Sequence, residues 1–183
     1  MHDLFTPYWQ TTLPPTASWQ VPWLVATGSL TQSLQQVCQQ AFQVQVLQHE
    51  FIAAPAFICE DLMIQPTEHV LQRQVLLCDG DKPLVFACSL LPEAALQGRY
   101  QALRELGSRP LGHWIFSEPI LKRQTMLFAE LPSQAALFKN LNKLTETSLL
   151  GRKTLFVGAD KPLLVSEFFL PALKAHSGEQ HGV

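Results

Sequence analysis

Arg73, Arg152 and Glu167 are charged residues set inside apolar, strand-like runs, where an ionised side chain needs a partner. They belong to a repeat: residues 73–92 (RQVLLCDGDKPLVFACSLLP) recur as residues 152–171 (RKTLFVGADKPLLVSEFFLP). Both copies keep Arg, Leu, Asp-Lys-Pro-Leu and a closing Leu-Pro, yet Cys88 stands in the first where Glu167 stands in the second. A guanidinium is a planar fork that grips a carboxylate with two parallel hydrogen bonds. A glutamate in apolar surroundings serves as a hydrogen-bonding handle or a proton-transfer group. Ionised groups on apolar faces cost several kcal/mol each unless paired. The partner is therefore either protein, as an internal Arg–Glu pair, or ligand, and spacing alone leaves both open.

Each copy reads as a β-hairpin, an alternating run followed by a polar turn and a second apolar run. The turns are Asp79-Gly80-Asp81-Lys82 and Gly158-Ala159-Asp160-Lys161, and an even loop sets 73 opposite 88 and 152 opposite 167. Alternation then groups Glu167 with Leu163, Val165 and Phe169, and Arg73 with Leu71, Val75 and Leu77. Around the hairpins, Ser29 and Gln32 have the spacing of a capping box, which predicts a helix from Ser29 to about residue 40. Residues 42–52 alternate as a strand, and 68–78 lead into the first copy. The stretch 53–66, bracketed by Pro55 and Pro66, is either a cover over a site or a short packed helix. Helices are expected over 93–106, closed by Gly107, and over 133–144, with an extended segment at 114–127. Residues 1–22, rich in proline and pinned by Trp9, Trp19 and Trp23, read as an extended arm, and 174–183 as a frayed tail. The fold expected is a single α+β domain over 1–183, a mostly antiparallel sheet of about six strands with flanking helices.

With 183 residues, 47% of them hydrophobic and 15% charged, the chain is long enough for one well-packed core. The net charge of −2 and scattered Lys and Arg give no footprint for nucleic acid. No apolar run reaches the ~18 residues of a membrane span and no leader pattern opens the chain, so a cytoplasmic protein is expected. The four cysteines, Cys38, Cys59, Cys78 and Cys88, lack metal spacing and read as buried free thiols, and the six histidines form no ligand motif. P-loop, dinucleotide and serine-hydrolase signatures are absent.

An ordered set of short motifs resembles bacterial chorismate lyase, which converts chorismate to 4-hydroxybenzoate and pyruvate at the start of ubiquinone synthesis. The set comprises Gly28-Ser29-Leu30-Thr31, Arg73 with Val75-Leu76-Leu77-Cys78, Ser89-Leu90-Leu91-Pro92, Arg109-Pro110-Leu111-Gly112, Gly151-Arg152, and Lys161-Pro162-Leu163-Leu164 through Glu167 to Leu170-Pro171. The resemblance covers roughly residues 23–171. It implies an antiparallel sheet with flanking helices, a ligand enclosed beneath flaps, and no metal or organic cofactor. It also implies that Arg73 and the amides of Leu30 and Leu111 hold the ring carboxylate while Glu167 meets the hydroxyl-bearing side. Leu30 just inside a helix N-terminus suits an anion, and Leu111 lies in a tight Pro-Leu-Gly turn. Two positions depart from the family: Cys88 replaces an arginine, and Leu150 a tryptophan. Arg152, Lys153 and Arg123 are the candidates to supply a cation in place of that arginine. A monomer that takes chorismate and releases 4-hydroxybenzoate, with no nucleic-acid partner, is expected. The alternative is a non-catalytic binder of 4-hydroxybenzoate or a similar aromatic acid, since ligand-sensing domains of some bacterial transcription regulators share such a fold.

Overall fold

In the computed structural model, which describes residues 8–117, 121–141, 144–158 and 161–177, the arm at 8–20 is irregular and stitched down. Gln10 exchanges backbone hydrogen bonds with Phe128 at 2.8 and 2.9 Å, and Trp9 packs on Phe168. The arm ends in a short helix, α1 (Val21–Val25), where Pro22 sits in the first turn and Trp23 is buried. Pro at that position loses no helical hydrogen bond and presets φ, which is why the extended reading fails there.

Helix α2 (Leu30–Val37) begins as the capping box requires, with the Ser29 side chain accepting from the Gln32 amide. Strand β1 (Phe42–Ala53) follows, and residues 53–66 resolve in favour of the packed helix, α3 (Ala56–Leu62), which buries Ile58 and Leu62. The first hairpin is β2 (His69–Asp79) and β3 (Lys82–Pro92). Residues 93–106 are tight 3-10 turns rather than an α-helix, broken where Gly98 takes a φ of 58°, and Gly107 closes them at 56°. The extended segment expected from 114 starts late: α4 (Leu111–Ser117) comes first, launched from Pro110, and β4 runs Lys122–Pro132. Among the described residues of the helix expected at 133–144, a single 3-10 turn, Ala136–Phe138, is found; residues 142–143 lie outside the described residues. The second hairpin is β5 (Ser148–Gly158) and β6 (Lys161–Phe169); its turn residues 159–160 lie outside the described residues. The tail is not frayed at 174–177, because the 3-10 turn Pro171–His176 buries Leu173 and His176; residues 178–183 lie outside the described residues.

The six strands form one antiparallel sheet in the order β1-β2-β3-β6-β5-β4, with the second strands of the two hairpins side by side. This is the α+β fold expected. In the second hairpin the register is uninterrupted and Arg152 lies opposite Glu167. The first hairpin differs: Leu77 pairs with Val85 but Cys78 with Pro83, so Leu84 is an extra residue, a β-bulge. Its carbonyl accepts from the Leu170 amide instead. Arg73 consequently lies opposite Ser89, not Cys88, which corrects the even-loop expectation.

One face of the sheet carries a single apolar cluster that includes Ile58, Phe86, Cys88, Leu90, Phe138 and Phe168. The other face carries two, one around Trp23, Leu34, Val75 and Ala87, the second around Leu71, Leu111, Ile115 and Val165. Between those two, beneath α2 and α4, runs a seam where the charged side chains converge. No helix among the described residues is long and apolar enough to cross a membrane.

Candidate active site

The seam is a narrow cavity, about 40 Å³. That is room for about three waters at roughly 10–15 Å³ each, so a six-membered ring enters only if its roof gives. Strand alternation builds the floor: Arg73 and Val75 from β2, Ala87 and Ser89 from β3, Val165 and Glu167 from β6, Arg152 and Thr154 from β5, Arg123 from β4. The roof is Leu30 and Thr31 of α2 with Leu111, Gly112, Ile115 and Phe116 of α4. All four residues singled out from sequence, Arg73, Glu167, Leu30 and Leu111, therefore line one cavity.

Arg73 is 3% exposed. Its Nη2 donates to the carbonyls of Gly107 (2.8 Å) and Arg109 (3.2 Å), which fixes the guanidinium against the loop leading into α4. Its Nε is buried with no hydrogen-bond partner among the described residues. Burial pushes its pKa down to about 10, because the cation is removed from water.

Glu167 is matched differently. Its Oε2 accepts from Arg152 Nε at 2.6 Å, and Arg152, 1% exposed, uses Nη1 on the carbonyls of Trp23 (2.9 Å), Leu24 (3.3 Å) and Ala26 (2.6 Å). The internal Arg–Glu pair is thus present, between Arg152 and Glu167. Arg73 and Glu167 both line the cavity. Arg152 also pins the chain that leads into α2, so the cation under the floor holds the roof in place.

Leu30 and Leu111 are the first residues of α2 and α4, where amides have no carbonyl one turn earlier to bond. For Leu111 this replaces the tight turn expected. The two helices touch over the cavity at Gly112 and Thr31: a Cβ on Gly112 would lie 2.7 Å from Thr31 Oγ1. Glycine is required by that close approach.

Cys88 is not in this cavity. It points from the opposite face into a wider hollow of about 270 Å³ with Trp9, Phe57, Gln74, Lys153 and Ser166. Burial pushes its thiol up to about 12, opposed by hydrogen bonds from Gln72 and Gln74, so it is a neutral core thiol. All four cysteines are free, as expected, Cys78 and Cys88 buried and the other two half-buried. Lys153 also faces away and pairs with Asp61 at 2.5 Å. The stretch 53–66 covers this second hollow, not the seam. Thr154, with an unpaired buried hydroxyl in the cavity, was not legible as a site residue; its only signal is its place two residues beyond Arg152 on a strand.

Comparison with known proteins follows the same lines. The family described as chorismate lyase matches residues 8–178. A probable chorismate pyruvate-lyase of Methylobacillus flagellatus is 38% identical over 157 residues, covering 83% of this chain and 86% of the relative. One from Psychromonas ingrahamii is 33% identical over 169 residues, 90% of each. Among solved structures, the effector domain of PhnF from Mycobacterium smegmatis aligns with a TM-score of 0.59 at 16% identity, over 81% of this chain and 91% of that one. The ligand-binding domain of a putative GntR-family regulator from Bordetella bronchiseptica gives 0.54 at 18%, over 73% and 86%. These last two share the fold.

Proposed function

The chain belongs to the chorismate lyase family, and on that premise we propose that the seam between α2 and α4 is where it eliminates pyruvate from chorismate. The protein is a lyase whose products are 4-hydroxybenzoate and pyruvate. The observation that carries the site is the placing of Arg73 and Glu167 on one floor. They stand on strands two steps apart and, by register, two residues along. With strand spacing of about 4.8 Å and a rise of about 3.4 Å per residue, their Cα atoms are about 12 Å apart. Two side chains and a hydrogen bond at each end narrow that span to a benzoate with a para oxygen.

In this reading the free edge of Arg73 and the amides of Leu30 and Leu111 take the ring carboxylate. Glu167, held by Arg152, takes the hydroxyl on the ring carbon next to the ether. Elimination breaks the ether C–O bond and sends its electron pair to the enolpyruvyl oxygen. The hydroxyl-bearing carbon loses its hydrogen as a proton, the C–H pair completes the aromatic ring, and the enolpyruvyl carbon gains a proton to give pyruvate. Aromatisation supplies the driving force. The site contributes orientation and electrostatics, with Glu167 fixing the hydroxyl so that the C–H and C–O bonds align.

We place the enzyme at the entry to ubiquinone synthesis, as a cytoplasmic monomer with no nucleic-acid partner. Purified protein mixed with chorismate in single-turnover amounts is expected to release 4-hydroxybenzoate and pyruvate in equal yield. Arg73→Gln is expected to lower 4-hydroxybenzoate affinity about 10- to 100-fold, the loss of a charge-assisted hydrogen-bond pair. Thermal stabilisation by 4-hydroxybenzoate without any product would favour the non-catalytic binder instead.

A further inference from the structure

Chorismate is a dianion, and the ring carboxylate accounts for only one of its charges. The second lies on the enolpyruvyl arm, attached beside the hydroxyl, so its partner belongs beyond Glu167 as seen from Arg73. Three cations other than Arg73 are candidates near that end, Arg152 and Lys153 on β5 and Arg123 on the edge strand β4. Arg152 is already committed to structure, with Nε on Glu167 and Nη1 on the carbonyls of Trp23, Leu24 and Ala26. Lys153 projects from the opposite face and is paired with Asp61. Cys88 also faces that way, so position 88 of this chain presents no side chain to this floor.

Arg123 remains. It stands on β4, four strand steps across the sheet from the strand of Arg73, so the two arginines bound the floor at its opposite margins with Glu167 between them. Its guanidinium lies 5.5 Å from the centre of the Phe156 ring, within cation–π range. Nη1 donates to the Thr27 carbonyl at 2.7 Å, in the connection between α1 and α2. Nε is buried with no hydrogen-bond partner among the described residues. In the same cavity, the Thr154 hydroxyl, 2% exposed, is also unpaired among the described residues. A buried guanidinium N–H and a buried hydroxyl lining one cavity, both lacking partners, call for an acceptor between them. Burial, and then the neighbouring Arg152 charge, lower the pKa of Arg123, while Glu167 raises it; an added anion would relieve both penalties.

We propose that Arg123, assisted by the Thr154 hydroxyl, binds the enolpyruvyl carboxylate of chorismate and stays with it as pyruvate departs. This rests on the seam being the chorismate site. It gives Arg123 a role that 4-hydroxybenzoate cannot use, because the product keeps only the ring carboxylate. The guanidinium also sits where negative charge develops on the departing enolpyruvyl group, so its contribution grows along the reaction. Its bond to Thr27 couples that event to the roof, since the same fork holds both the leaving group and the entry to α2.

The test compares Arg123→Gln and Arg123→Lys with the wild type, using dissociation constants for chorismate and for 4-hydroxybenzoate together with single-turnover rates. Arg123→Gln is expected to weaken chorismate binding about 10- to 100-fold and to lower the single-turnover rate, while 4-hydroxybenzoate affinity moves less than about threefold. Arg123→Lys, which keeps the charge and the packing stem, is expected to recover part of the chorismate affinity and guards against a folding defect in the glutamine variant. Equal losses for both ligands would overturn the assignment, as would unchanged chorismate binding in both variants. If the wild type bound neither ligand, the seam itself would be the wrong site, a failure separate from that of Arg123.

Discussion

Replacing Arg152 with methionine, which keeps most of the volume, removes one charge and four hydrogen bonds from a buried polar cluster. Glu167 would keep its carboxylate in an apolar seam without its 2.6 Å partner, and the carbonyls of Trp23, Leu24 and Ala26 would lose their shared donor. Breaking a buried ion pair from one side costs about 3–5 kcal/mol, because the remaining charge is uncompensated. At roughly 2–4 °C per kcal/mol for a chain of this length, thermal unfolding should fall by about 6–20 °C. The double variant Arg152→Met with Glu167→Leu removes the stranded charge as well. It should therefore be more stable than Arg152→Met alone, with a coupling of at least about 2 kcal/mol, although the three carbonyls still lack a donor. Urea unfolding of the four proteins without ligand reads this cycle directly. An Arg152→Met loss below about 1 kcal/mol, or strictly additive losses, would refute the account of Arg152 as the anchor of both Glu167 and the roof.

Two further expectations test the roof and the far face. Gly112→Ala forces a methyl group to within 2.7 Å of Thr31 Oγ1, so it should prise α4 from α2 and speed 4-hydroxybenzoate dissociation in stopped-flow displacement; adding Thr31→Ala should restore the slow rate, and an unchanged rate in Gly112→Ala would rule out these helices as the gate. Cys88, its thiol raised from 9.0 to about 12 by burial, should resist alkylation in the folded protein at pH 8. The unfolded chain loses that proton near 9 while the folded one keeps it, so the thiol subtracts stability as pH rises from 9 towards 12. Cys38, raised to about 11, acts in the same direction. Cys88→Ala should flatten the decline in unfolding free energy over that range, and an unaltered slope would show that the thiol ionises freely.

The legible parts of the fold were those governed by short-range rules. Ser29 and Gln32 announced the start of α2 because a capping hydrogen bond depends on four consecutive residues. The hairpins announced themselves through alternation and turns, and Glu167 fell opposite Arg152 because nothing interrupts that register. Longer-range packing decided the rest. Residues 114–117 look extended by composition, yet Pro110 and the contact with Thr31 start a helix at Leu111, and Trp114 stacks edge-on against Tyr100. Residues 93–106 have helical composition, but Gly98 turns left-handed and leaves only 3-10 turns. Of the cavity, Arg73 and Glu167 were visible as charges in apolar runs. Arg123 was one of three possible cations until the faces of the strands separated it from Lys153 and the hydrogen bonds separated it from Arg152.

The two copies of the repeat diverge in role through the register as much as through the residues they carry. Sequence equivalence pairs Arg73 with Arg152 and Cys88 with Glu167. Without a bulge, Cys88 would lie opposite Arg73 on the cavity face, as Glu167 lies opposite Arg152. Leu84 adds one residue to β3, and a shift of one residue sends every later side chain on that strand to the other face. Position 88 is thereby delivered to the far hollow, and the small Ala87 and Ser89 are left on the floor. Two consequences follow for the chemistry. Arg73 faces the small Ser89 across the strand and its Nε has no hydrogen-bond partner among the described residues, while its sequence twin Arg152 is bound to Glu167. The small side chains on β3 also leave room above the sheet between Arg73 and Glu167, where a glutamate or arginine at the cavity-facing position would fill the space a ring needs. Cys88 therefore lies on the face that does not touch the proposed substrate, and the cations that do face it, Arg73 and Arg123, are both in place.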